Sequence, residues 1–176
     1  ILFPTDFSAA ANNAFVYALE VADELDANIT TLHAYQLPEI RGAHLPHTLQ
    51  EVYDSISVEK FSDYKDSIPL LHEIAAEKDL SHIPISHIMR EGETIRTILR
   101  AVKSEKVDMI VMGTTGASGL KEVFVGSVAG EVLENAACPV LAVPEEAVFD
   151  GALDNLAITT SYKDEEKRAL KKVIEF

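Results

Sequence analysis

Short apolar runs alternate along this chain with stretches of helical periodicity. Ile1-Leu2-Phe3-Pro4-Thr5 reads as a short buried strand, and Asp6-Phe7-Ser8 as a turn with helix-capping residues. From Ala9 to Leu25, Phe15, Ala18, Leu19, Ala22 and Leu25 recur at helical spacing, which predicts a first helix. Ile29 to Tyr35 is β-branched and apolar, a second strand. Leu37 to Thr48 carries two prolines, a glycine and two histidines and reads as a loop suited to act as a lid. Leu49 to Leu80 is helical in pattern, with Pro69 expected to kink or restart it. Pro84 to Met89 predicts a third strand, ended by Arg90-Glu91-Gly92, and Glu93 to Lys106 an amphipathic helix with Ile95, Ile98, Leu99 and Val102 on one side. Val107 to Met112 is the clearest strand, Ser127 to Ala136 a helix, and Pro139 to Val143 a last strand.

Strands and helices therefore alternate, and two strands are nearly continuous apolar runs. That predicts an α/β domain with a parallel sheet covered on both faces. In such sheets ligands sit beyond the carboxyl ends of the strands at the topological switch point, and Asp6 and Gly113 both fall at strand ends. Residues 155–176 repeat the opening of the chain. A strand-like Asn155–Tyr162 precedes an amphipathic stretch, and Ala157-Ile158-Thr159-Thr160-Ser161 can be laid over Leu2-Phe3-Pro4-Thr5-Asp6. The expected organisation is one domain over 1–147 and, over 148–176, the first strand and helix of an incomplete second copy. The alternative is a C-terminal strand and helix packed on the first domain.

Composition removes several function classes. The 176 residues are enough for one well-packed domain, and 47% hydrophobic with 25% charged residues is a globular balance. The net charge of −14, with no Lys/Arg stripe, disfavours nucleic acid. It also opposes a free nucleotide, so a phosphate site must be strong locally, through backbone N–H groups and a divalent cation. No apolar run is long enough to span a bilayer. The lone Cys138 excludes an internal disulfide framework and fits a reducing, cytoplasmic setting. The chain opens inside a predicted strand without Met, so a missing signal peptide carries little weight.

The sharpest chemical feature is Met112-Gly113-Thr114-Thr115-Gly116, then Gly119, then Gly126-Ser127. Glycines directly after a strand let the backbone approach a ligand closely, and a following helix N-terminus offers free N–H groups to phosphate. An ordinary β–α loop with a serine cap explains any one of these glycines, but not the whole set. No G-x-x-x-x-G-K-[S/T] occurs, and the loop follows the fourth strand rather than the first, so neither the P-loop nor the dinucleotide fingerprint applies.

Gly113-x2-Gly116-x9-Gly126-Ser127 resembles the nucleotide motif of the universal stress protein family, with both spacings intact. Val107–Gly113, Cys138–Val143 and Pro4-Thr5-Asp6-Phe7-Ser8 are similar to that family's fourth strand, fifth strand and first strand with its turn. The resemblance covers about residues 1–144. It implies an open five-stranded parallel sheet in the order 3-2-1-4-5, helices on both faces, of the adenine nucleotide alpha hydrolase-like type. It also implies an ATP-binding, stress-response module.

Carried over residue by residue, it implies that Asp6 contacts the ribose or adenine side of the site. Ala34 would offer backbone groups to adenine, Gly113, Gly116, Gly126, Ser127 and Val128 would cradle the phosphates, and Pro4, Thr5 and Met112 would also belong to the binding site. Mg²⁺ or Mn²⁺ would accompany the nucleotide. The loop 114–119 lacks the Arg or His that some members carry, which leaves Lys121 and the metal for charge compensation, and the second copy has Ser161 where the first has Asp6. Pairing of the strand 139–143 with a second domain or a second subunit is implied as well.

Other residues carry less. Asp6 also fits a helix N-cap. Lys121 fits a solvated loop and Cys138 a small buried residue; His33 fits a satisfied core histidine, and Glu131 and Glu134 a solvated helix face. His44 and His47 lack further ligands for zinc. No nucleophile–base pair or carboxylate pair has persuasive spacing, so no catalytic residue is assigned. Holding ATP, or hydrolysing it very slowly, is the expectation. A nucleotidyl transferase of this fold would need signatures that are absent, among them a Ser-Gly-Gly-rich first loop and His-Ile-Gly-His.

Overall fold

A computed structural model describes residues 1–38, 46–114 and 125–149. Five parallel strands, β1 (Leu2–Pro4), β2 (Ile29–Tyr35), β3 (Ile85–Glu91), β4 (Ile110–Gly113) and β5 (Val140–Val143), form one sheet in the order β3-β2-β1-β4-β5. Four helices connect them: α1 (Ala9–Glu24), α2 (Pro46–Glu77), α3 (Thr94–Ser104) and α4 (Ser127–Asn135). This is the predicted open sheet, with its switch point between β1 and β4.

Alternation along the strands fills two cores, one on each face. Phe3, Ile29, Val111 and Val143 point to the α1/α2 face, where Phe15 and Leu19 of α1 and Leu71 of α2 cover them. Leu2, Leu32, Ile110 and Met112 point to the other face, under Ile98 and Val102 of α3 and Val132 of α4. Both layers are needed because parallel strands of this kind are apolar on both sides.

Several boundaries differ from the sequence reading. α2 begins at Pro46, so residues 46–48 of the expected lid loop are helical, and proline at a first helical turn has no N–H to waste. Residues 39–45 of that loop, His44 among them, lie outside the described residues. The helix runs through Pro69 rather than restarting there; Pro69 is exposed, so water can reach the Lys65 carbonyl that loses its donor. β3 extends through Arg90 and Glu91, whose exposed side chains suit a sheet edge. β4 starts at Ile110 rather than Val107, because Val107 donates its N–H back to Val102 as the helix ends. The proposed second copy falls almost wholly in 150–176, outside the described residues.

Candidate functional site

A cleft of about 310 Å³ opens over the carboxyl ends of β1 and β4. Of the ten residues expected there, Pro4, Thr5, Asp6, Ala34, Met112, Gly113, Gly126, Ser127 and Val128 line it. Gly116 lies outside the described residues, as do Gly119 and Lys121. Leu32, His33, Thr94, Ile98, Thr114 and Ala129 also line the cleft and were not anticipated as ligand contacts.

The first wall is the turn after β1. Thr5 Oγ1 accepts the Phe7 N–H at 2.9 Å, and Asp6 Oδ1 accepts the Ser8 N–H at 3.0 Å. These two bonds hold Phe7 at φ 60°, a conformation disfavoured for a non-glycine residue by about 1–2 kcal/mol. Strain of this kind persists only where the surroundings over-determine it. Here the Phe7 ring packs on His33 and Tyr64, with centroids 5.6 and 5.9 Å away. The N-cap of α1 is Ser8, whose Oγ accepts the Ala11 N–H at 3.2 Å, so the capping alternative for Asp6 is corrected. Asp6 instead orders the turn and stays exposed at the cleft.

The second wall is β2. Thr30 N–H reaches Ile1 O at 2.8 Å and Leu32 O receives Thr5 N–H at 2.9 Å, so both residues present their backbone groups to β1. Ile29 and Tyr35 present theirs to the β3 side, through Ile29 N–H to Pro84 O at 3.0 Å and Gly92 N–H to Tyr35 O at 2.8 Å. Continuing that alternation turns the Ala34 N–H and C=O toward β1. They lie past Pro4↔Leu32, the last register pair, where the cleft begins. His33 Nδ1 lies 2.9 Å from Thr5 O, and its ring stacks on Tyr64 at 5.6 Å. It is thus satisfied, as expected, and also borders the cleft.

The third wall is the start of α4. Of the four helices that follow strands at this end of the sheet, α1 and α3 have closed N-termini. Ser8 caps α1, and Glu93 caps α3 with both carboxylate oxygens, accepting Ile95 N–H at 3.0 Å and Arg96 N–H at 2.9 Å. Those two bonds hold the Glu93 carboxyl below its ordinary value. Helix α4 has Gly126 as N-cap, with no side-chain cap. Gly126 N–H itself goes to Thr114 O at 2.6 Å, and the first intrahelical bond is Gly130 N–H to Gly126 O at 2.8 Å. The N–H groups of Ser127, Val128 and Ala129 therefore have no partner among the described residues, and they sit at the positive end of the helix dipole. The Gly126 N–H is taken by Thr114 O, so the open N–H groups here are those of Ser127, Val128 and Ala129, and Gly126 lines the cleft as the turn residue.

Among the described residues no cluster of three or more His, Cys, Asp or Glu side chains is built for a metal. No described helix is long and apolar enough to cross a membrane. Glu131 and Glu134 are solvent-exposed, and Cys138 packs at the margin of the α3/α4 core.

An open parallel sheet with a cleft at its switch point is the doubly wound α/β class, in which ligands sit beyond the carboxyl ends of the strands. Residues 1–144 match the model of the universal stress protein family, and the chain belongs to that family. The chain is 32% identical over 143 residues to universal stress protein MJ0531 of Methanocaldococcus jannaschii, covering 81% of this chain and 80% of that one. Among solved structures it is similar to universal stress protein UspA of Lactobacillus plantarum, with a TM-score of 0.67 and 28% identity over 81% of this chain and 94% of that one. More distant structures share the fold. One is a universal stress protein in complex with cAMP, at TM-score 0.53 and 18% identity over 82% of this chain and 94% of that one. Another is an Arabidopsis thaliana family protein with AMP bound, at TM-score 0.50 and 19% identity over 85% of this chain and 95% of that one.

Proposed function

We propose that this chain is an ATP-holding module of the universal stress protein family, in which the nucleotide state alters the surface offered to partners. The observation that carries this reading is the row of three N–H groups at the start of α4 that have no partner among the described residues and belong to residues lining the cleft. They suit a polyphosphate, while the open backbone edge of Ala34 suits the donor–acceptor edge of adenine on the opposite wall. Structures of the same fold that hold cAMP or AMP support an adenine nucleotide as the ligand class. The fit to ATP is reasonable on this chain's own residues, since backbone donors offset the acidic surface where phosphate would lie. Mg²⁺ or Mn²⁺ would then travel with the phosphates rather than occupy a site of its own, with Asp6 the carboxylate at the cleft.

Among the described lining residues only Asp6 and His33 carry a carboxylate or an imidazole, and His33 Nδ1 is engaged by Thr5 O. No described side chain is set to activate a water, which favours holding over turnover. The test is to denature freshly purified protein and chromatograph what it releases. ATP near one per chain is expected. Released ADP, with steady ADP production above that of Gly113→Val, would shift the reading to a slow ATPase. No nucleotide, and no melting shift on adding Mg-ATP, would leave a scaffold with an idle loop.

A further inference from the structure

Outside the cleft, the α1/α2 face carries a second polar constellation. His72 on α2 and His87 on β3 bring their Nε2 atoms to 3.1 Å, with the rings edge-on at a centroid distance of 5.2 Å. Behind them, His87 Nδ1 lies 2.8 Å from Thr31 Oγ1. Thr31 is its register partner on β2 and is fully buried. The Thr31 hydroxyl has one proton, and Ser86 O is within 3.5 Å to receive it. With that proton on Ser86 O, Thr31 Oγ1 is free to accept from His87 Nδ1–H, the tautomer of His87 that carries its lone pair on Nε2. His72 is exposed and His87 half-buried, which keeps the pair within reach of solvent. None of these residues lines the nucleotide cleft.

We infer that His72 and His87 form a two-imidazole site for a borderline divalent ion, Zn²⁺, Ni²⁺ or Cu²⁺. Two nitrogens 3.1 Å apart that each bind an ion at about 2.0–2.1 Å subtend roughly 100° at the metal, close to tetrahedral or cis-octahedral geometry. The 2.8 Å contact between His87 Nδ1 and Thr31 Oγ1 is of the outer kind that ligating histidines characteristically make, and in the tautomer with the proton on Nδ1 it would orient the ring for ligation. His72 reaches the matching tautomer by moving its proton to Nδ1, so both imidazoles bind neutral and no proton is lost. Water completes the coordination on the open side. With only two protein ligands the site is exchangeable, and it fits sensing or loading by an ion better than permanent structural binding. It does not depend on the nucleotide reading, and its probe contains no nucleotide.

The test is titration of the chelator-stripped 176-residue chain with ZnCl₂, NiCl₂ or CuCl₂ alone at pH 7.5, followed by calorimetry and thermal melting. One ion per chain is expected to bind and raise the melting temperature by several degrees. Copper should give an electron paramagnetic resonance signature of two equivalent-type imidazole nitrogens. His72→Ala removes an exposed side chain, so the fold should be retained in chelator while affinity drops at least about tenfold, the loss that removing even an outer contact of a ligand produces. His72→Gln, which keeps a polar neighbour for His87, should behave the same way. Unchanged affinity in either variant would place the ion elsewhere and overturn the site. The absence of saturable binding in the parent chain would reduce the pair to a histidine–histidine hydrogen bond.

Discussion

At the scale of single residues, neighbours decide what the polar groups do. His87 is the clearest case, because burial, and then the adjacent His72, hold its imidazole below the ordinary value of 6.5. The unfolded chain therefore takes up a proton on this residue more readily than the folded one. His87 contributes no penalty above pH 6.5, and the fold loses stability as the pH falls from there through the lowered folded value. With chelator present, the melting temperature should fall between pH 7.5 and pH 5.5, and His87→Asn should flatten that part of the profile. An equal slope in the variant would assign the acid sensitivity to His72 or to other groups. None of this was legible in the sequence. His72 and His87 are 15 residues apart on a helix and a strand, and no local spacing announces that they meet. Asp6 was half legible: its place at the cleft followed from the turn, but Ser8 rather than Asp6 caps α1.

At the scale of elements, hydrophobic periodicity carried most of the fold. β2 runs from Ile29 to Tyr35 and α4 starts at Ser127, both as the pattern indicates. The failures came where a local signal lost to its surroundings: Pro69 inside α2, and the charged Arg90 and Glu91 at the end of an edge strand. Nine of the expected residues line the cleft because they sit at or just after the ends of β1 and β4, on β2, or at the start of α4. Thr94, Ile98 and Ala129 were missed because they reach the cleft only through helix packing, which a single sequence does not encode locally. The long α2 is weakly amphipathic to the eye, yet Leu71 is fully buried against the core that holds Phe3, Phe15 and Leu19. Leu71→Ala should therefore cost about 3 kcal/mol in urea unfolding, by lost burial and the cavity left behind. A shift in midpoint with little change in slope is the expected form, and a change below about 1 kcal/mol would mean that α2 is not anchored there.

At the scale of the whole molecule, β5 is an edge. Among the described residues it pairs only with β4, and the groups on its other side are open to another strand. Val140 and Leu141 there are only partly buried. Pairing through residues 139–143, with a second subunit or with a second copy of the domain, is the proposal that follows. Residues 150–176 lie outside the described part of the chain and take no part in this argument. Sedimentation should find a species of twice 19.3 kDa that dissociates on dilution. A strictly monomeric species at all concentrations would remove the homodimer.

The bond from Gly126 N–H to Thr114 O has a consequence for how this domain can vary. It ties together the two ends of the stretch 115–125, so one backbone bond holds the start of α4 against the end of β4. Changes of length in the intervening sequence then start from ends that are already joined. Lengthening it raises the closure cost only slowly, by about 0.6 kcal/mol per doubling. A lineage could rewrite its charge, reach or recognition without moving the helix terminus that would face the phosphates, so new chemistry could be tried on a fixed frame.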